Sequence, residues 1–179
     1  VIHQRPRFDE VYVIHEDFSE DPSAPGTTEY DDLDPTAMMS EVPDHAFWNE
    51  VTAGDSRDKP PVKRLVILDD LEMKGRPERL RNLQTLFRYV SSHKGISVCM
   101  AHQNFFSLEP VIKNNANIFF VWKPKNRDEV GLIERRVGLP KGVLSLIYSY
   151  LSDVHDSICI DHTANSPAPL RINLFTPLS

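Results

Sequence analysis

Two adjacent carboxylates, Asp69 and Asp70, close the apolar run LVIL (Leu65–Leu68) that follows Arg64. Side by side they repel each other unless something cationic sits between them and a phosphate. A hydrated Mg²⁺ does this: one carboxylate holds the metal through water, and its neighbour can orient or deprotonate an attacking water. An ordinary solvated strand end is the alternative, because apolar runs often finish in acid. Thirty-three positions past Asp70 the next apolar run ends in Gln103-Asn104. An uncharged amide on an adjacent strand can bond a γ-phosphate and a water together, sensing hydrolysis without adding charge. Its simpler use is to satisfy nearby backbone.

These groups need a scaffold that brings strand ends together. EVYVIHED (Glu10–Asp17) alternates and is rich in β-branched and aromatic residues, which predicts a strand. After RLVILDD comes RPERLRNLQTLFRYVSSHKG, with Pro77 placed for a first helical turn and Gly95 placed to end the helix. Leu80, Leu83, Leu86, Phe87 and Val90 share one face, with Arg81 and Arg88 opposite. ISVCMAHQN (Ile96–Asn104) and NIFFVWK (Asn117–Lys123) read as further strands. EPVIKNNA, RDEVGLIERRVG and KGVLSLIYSYL read as helices, and SICIDH and LRINLF as a closing hairpin. Short helical pieces are expected in PTAMMSEV and DHAFWNEV, and loops in Ser19–Pro35 and Gly54–Lys63.

The middle strands are nearly continuous apolar runs, as strands are when helices cover both faces of a sheet. Strand–helix–strand order then predicts an α/β fold with a mostly parallel sheet and right-handed crossovers. In such a sheet ligands bind beyond the carboxyl ends of the strands. His15-Glu16-Asp17, Asp69-Asp70, His102-Gln103-Asn104 and Lys123 are therefore expected to converge on one rim.

In their order along the chain, RLVILDD, HKGISVCMAHQNFF and IKNNANIFFVWKPKNRDEVGLI resemble the genome-packaging ATPases of poxviruses, polinton-like elements and their relatives, within the FtsK–HerA superfamily. The resemblance covers about residues 64–175 and, more loosely, the strand at 10–15. It implies a RecA-like P-loop NTPase core that assembles into a homo-oligomeric ring. ATP, with Mg²⁺, would bind between subunits, and the ring would drive double-stranded DNA into a capsid, with a capsid or portal-vertex protein as partner. The setting would be the virion or a viral assembly site, in cytoplasm or nucleus. Position by position, Asp69 matches the Mg²⁺-associated acid of that family, Asp70 the catalytic acid and Gln103 the polar sensor, with Asn104 beside it at the nucleotide.

The chain departs from the family twice. No Gly-rich turn ending in Lys-Ser or Lys-Thr occurs, and Gly26, Gly54, Gly75 and Gly95 are isolated. That cradle is expected upstream of Val1, so the 179 residues read as one ATPase core domain lacking its P-loop strand and helix, and alone bind ATP poorly. Relatives often carry Arg before the His that precedes the ISV strand, where this chain has Ser92. Arg127 is then the first candidate for a trans-acting arginine finger and Arg88 the second, against a role as plain surface cations.

Charge is unevenly spread. Residues 1–56 hold 2 basic and 14 acidic side chains, and the remainder hold 18 and 12, so a surface facing phosphate belongs to the second part. No apolar run approaches the roughly 20 residues of a membrane span, and nothing resembles a signal peptide. Cys99 and Cys159 sit in separate apolar runs and are expected as buried thiols, which suits a reducing compartment.

Three other readings share these residues. A HerA- or FtsK-type cellular DNA translocase would need the same strand-end groups. A metal-dependent phosphoesterase or nuclease would gather His15, Asp17, Asp69, Asp70, His102 and Asp161 around metal ions, though no HxH or HExxH spacing occurs. A non-catalytic oligomerisation module would use the α/β core only as a platform.

Overall fold

In a computed structural model of the chain, the described residues are 8–19, 30, 34–56, 58–105, 107–151, 153, 155–163, 166, 169–173 and 176–177. They form two compact units, Val1–Gln103 and Asn104–Ser179.

The first unit is built on four parallel strands: β1 (Glu10–His15), β2 (Ala37–Met39), β3 (Arg64–Asp69) and β4 (Ile96–Met100), in the order β2-β1-β3-β4. Register aligns Tyr12 with Val66 and Val66 with Val98, and sets His15 opposite Asp69 at the carboxyl rim. Val13, Ile14, Val66 and Leu68 are fully buried, and the Tyr12 ring makes T-shaped contacts with Phe47 and Trp48 on helix α1 (His45–Val51). At the opposite rim the buried Arg64 guanidinium binds Glu10 and Asp55, each at 2.6 Å, fixing where β3 begins.

The expected amphipathic helix runs as α2 (Pro77–Thr85), a π-helical turn Leu86–Val90 and α3 (Ser91–His93). Leu83, Leu86, Phe87 and Val90 are buried, and Arg81 and Arg88 are exposed. Gly95, at φ +65°, lets the chain leave the helix and enter β4.

PTAMMSEV is not helical. Thr36 both donates its N–H to the Val11 carbonyl (2.7 Å) and accepts the Val11 N–H on its hydroxyl (3.0 Å), which seeds β2 along the free side of β1. The edge strand's demand for partners outweighs the local helix propensity of Ala and Met. Cys99 is also unlike its expectation: it is exposed on β4, while Cys159 is buried.

The second unit contains α4 (Pro110–Asn115), β5 (Ile118–Trp122), α5 (Arg127–Arg136), α6 (Val143–Tyr150), β6 (Ser157–Asp161), β7 (Leu170–Ile172) and β8 (Thr176–Pro177). Its sheet is antiparallel throughout, in the order β5-β6-β7-β8. The hairpin of β6 and β7 matches the sequence reading; β5 does not. It pairs antiparallel with β6, so it is no third member of the parallel sheet. An apolar run carries no direction, and β5 alternates, with Phe119 and Val121 packed on the core and Ile118, Phe120 and Trp122 exposed. That core joins Val130 and Ile133 of α5 and Val137 just past its end to Leu144 and Tyr148 of α6 and to Ile158 and Ile160 of β6. The buried Glu134 carboxylate accepts the N–H groups of Gly142 and Leu144 and so caps α6.

Candidate functional site: the carboxyl rim of the parallel sheet

Parallel pairing of β3 and β4 puts their ends side by side, and the Ala101 N–H closes the ladder on the Leu68 carbonyl at 2.9 Å. One residue past β3, Asp70 adopts a left-handed backbone with φ +47°. Non-glycine residues enter that region at a cost of roughly 1–2 kcal/mol, with Asp among the more tolerant. The turn carries the Asp70 carboxylate to the Gln103 side chain, whose Nε2 donates to Oδ1 at 3.0 Å. Both residues are exposed, so solvent reaches the pair.

Asp69 occupies a different environment. It is half-buried, and Oδ2 accepts the Tyr30 hydroxyl at 2.5 Å. The Tyr30 ring tilts against that of His15, with centroids 6.1 Å apart. His15 Nδ1 accepts the Asp17 N–H at 3.2 Å, which leaves the ring hydrogen on Nε2. Adjacent in sequence, the two acids therefore divide: one is oriented by a phenol inside the rim, the other is presented to solvent beside an amide.

A third cluster holds the rim together. Arg79, 3 % exposed, lies on α2 and reaches the exits of β1, β2 and β3. It pairs with Glu41 through two bonds (2.9 and 2.7 Å), meets Glu16 at 3.1 Å, and donates to the carbonyls of Glu72 (3.0 Å) and Ser40 (3.3 Å). Glu16 also accepts the Glu72 N–H at 2.8 Å. That N–H bond, followed by the Arg79 charge, holds Glu16 below the usual carboxylate range; Arg79 does the same to Glu41.

Of the strand-end groups expected on the rim, His15, Glu16, Asp17, Asp69, Asp70, His102 and Gln103 belong to the first unit, and one hydrogen bond links Asp70 with Gln103 there. Asn104 opens the second unit, where its carbonyl accepts the Ser107 hydroxyl. Lys123 follows an antiparallel strand, so the strand-end rule does not bring it to this rim; its Nζ donates to the Tyr148 carbonyl at 3.4 Å. Arg127 opens α5, and its side chain lies outside the described residues. Arg88 is exposed on the helix.

Sequence reasoning missed Tyr30 and Arg79. Arg79 was findable, since 79, 83, 86 and 90 share one helical face and a charge at the head of an apolar stripe must meet a counter-charge. Tyr30 offered no comparable signal, standing alone in an acidic stretch of sequence whose neighbouring positions 20–29 and 31–33 lie outside the described residues.

Among the described residues no group of three or more His, Cys, Asp or Glu side chains is placed to hold a metal. Asp161, one member of the two-metal alternative, is occupied by Thr163, Ser166 and Arg171, and those bonds hold its pKa down to about 2. A divalent ion carried mainly by water and phosphate needs only one or two carboxylates, and Asp69, with Oδ2 anchored by Tyr30, suits that role.

No family model matches the chain, and no curated protein does. Solved structures do. B204, the DNA-packaging ATPase from Sulfolobus turreted icosahedral virus, has a TM-score of 0.57 at 12% identity, over 95% of this chain and 83% of its own. The genome packaging NTPase B204 from Sulfolobus turreted icosahedral virus 2 matches over the same shares, with TM-score 0.53 and 9% identity in complex with AMPPCP, and 0.52 and 10% in complex with AMP. At these identities the fold is what is shared.

Proposed function

We propose that the chain is the hydrolysis-and-sensor portion of an ATP-driven subunit that moves double-stranded DNA into a viral particle. The observation that carries this reading is the Asp70–Gln103 bond across the ends of two adjacent parallel strands, with Asp70 turned into left-handed backbone to make it. Strain of this kind collects where surrounding structure forces a side chain into a working position. The fold shared with packaging NTPases supports the same reading.

Asp70 is the general base. Its Oδ1 is held by Gln103 Nε2, which leaves Oδ2 to accept a proton from water while the Gln103 carbonyl oxygen takes the water's second hydrogen. Water is thereby aimed by two groups whose spacing the strand register fixes. Asp69, steadied by Tyr30, is the residue that would hold Mg²⁺ through its hydration shell. The ion supplies charge neutralisation at the phosphates. The 179 residues contain no Gly-rich turn ending in Lys-Ser or Lys-Thr, so the triphosphate cradle is assigned to polypeptide outside them. A ring of subunits, Arg127 as the finger reaching a neighbour, Asn104 at the nucleotide, and a capsid or portal-vertex partner complete the proposal.

The test uses protein expressed from the complete coding sequence. Mg²⁺-dependent ATP hydrolysis, stimulated by duplex DNA, is expected. Duplex affinity should fall by at least about 100-fold between 50 and 200 mM salt, because a motor tracking DNA contacts phosphates. Phosphodiester cleavage without ATP, or duplex binding indifferent to salt, would overturn the reading.

A further inference from the structure

Resting on the ATPase reading, we infer that Arg79 is a positioning residue for Asp70, acting through the backbone of Glu72. The placement itself is unusual. Arg79 heads the apolar stripe completed by Leu83, Leu86 and Val90, a position where leucine or methionine would pack without desolvating a charge. What the guanidinium does there is tie together the exits of three strands: Glu16 after β1, Ser40 and Glu41 after β2, and Glu72 after β3.

Glu72 is held at both backbone groups, its N–H by Glu16 and its carbonyl by Arg79. Leu71, 2 % exposed, is pinned in the core just before it. The chain therefore has one fixed point at Leu68 in the β3 ladder and a second at residues 71–72. Asp70 is the residue that must absorb the turn between them, and its φ of +47° is that turn. Release of the Glu72 clamp lets Asp70 relax toward ordinary backbone and swings its carboxylate away from Gln103. Arg79 touches neither nucleotide nor water in this account; it sets where the base points.

The experiment is a double-mutant cycle on hydrolysis by the full-length protein, pairing Arg79→Met with Asp70→Asn, with kinetics run well below each variant's melting temperature. Arg79→Met should lower kcat about 10- to 100-fold while KM for ATP stays within about threefold, and should add almost nothing in the Asp70→Asn background. A second readout is independent of turnover: the side-chain amide resonance of Gln103 should move in Arg79→Met toward its position in Asp70→Ala, where the acceptor of its hydrogen bond is gone. Should Arg79→Met fail to fold, Glu16→Gln and Arg79→Lys carry the same cycle, because each keeps part of the clamp. Additive losses, parental kcat in the Arg79 variants, or an unmoved Gln103 resonance would overturn the inference. If Asp70→Asn itself turns over at the parental rate, the ATPase reading of the rim has failed instead, and the two failures are distinguishable.

Discussion

Gln103 Nε2 lies 3.0 Å from Asp70 Oδ1, joining residues 33 positions apart at the ends of adjacent parallel strands. The contact needs no long-range coincidence. Parallel pairing sets the strand ends side by side, and one left-handed residue after β3 turns the acid toward the amide. Its consequence is an exposed carboxylate with one oxygen fixed and one open.

Replacing the amide changes the acid. Gln103→Glu places a second carboxylate beside Asp70, and two such groups resist ionising together. The acid limb of the pH–rate profile should move upward by about one pH unit or more. Gln103→Ala adds no charge and should instead lower kcat about 10- to 100-fold, with a smaller upward movement of that limb because a donor to the carboxylate is lost. Steady-state kinetics across pH 5–9 separates the two, and identical profiles for both variants would count against the Asp70–Gln103 pairing.

Tyr30→Phe removes the hydroxyl that donates to Asp69 Oδ2. A charge-assisted bond of this kind contributes about 1.5–3 kcal/mol, so denaturant unfolding should show a loss near that range. The Mg²⁺ concentration giving half-maximal hydrolysis should rise several-fold, since the carboxylate is no longer oriented. An unchanged Mg²⁺ requirement would remove Tyr30 from the site.

The arginine clamp makes a pH prediction with a definite sign. Glu16 and Glu41 titrate below their ordinary range when folded, the first chiefly through the Glu72 N–H and then Arg79, the second chiefly through Arg79. Their contribution is fully present above the unfolded value of about 4.3 and is lost as pH falls through the lower folded values. The stability gap between the parent and Arg79→Met should thus be constant above about pH 5 and narrow below it. A gap that widens on acidification would contradict the clamp.

Arg64→Ala serves as a control at the other rim. It leaves Glu10 and Asp55 without their shared partner and should lower stability by about 3 kcal/mol. Hydrolysis by the folded fraction should remain parental, because nothing in this cluster touches Asp70 or Gln103.

Much of the first unit was legible because its signals are local. The strand over EVYVIH, the start of α2 at Pro77 and the exit at Gly95 after α3 survive into the structure, although β1 buries Tyr12, Val13 and Ile14 in succession rather than alternately. What depended on partners was not legible. The short strand Ala37–Met39 exists because β1 has a free side, and β5 runs antiparallel because β6 lies beside it; neither fact is encoded in the segment itself. The strand-end rule found Asp70 and Gln103, but it could not say that a left-handed turn would aim one at the other. Arg79 went unread because a lone arginine in an amphipathic helix is ordinarily surface.

The most direct measurement is ATP binding and turnover by the full-length protein carrying Asp70→Asn. Asparagine keeps the shape and an oxygen for Gln103 to bond, yet it cannot take a proton from water. Nucleotide affinity should stay within about threefold of the parent while turnover falls at least about 100-fold. Parental turnover in that variant would contradict the assignment of Asp70 as the base on which this account stands.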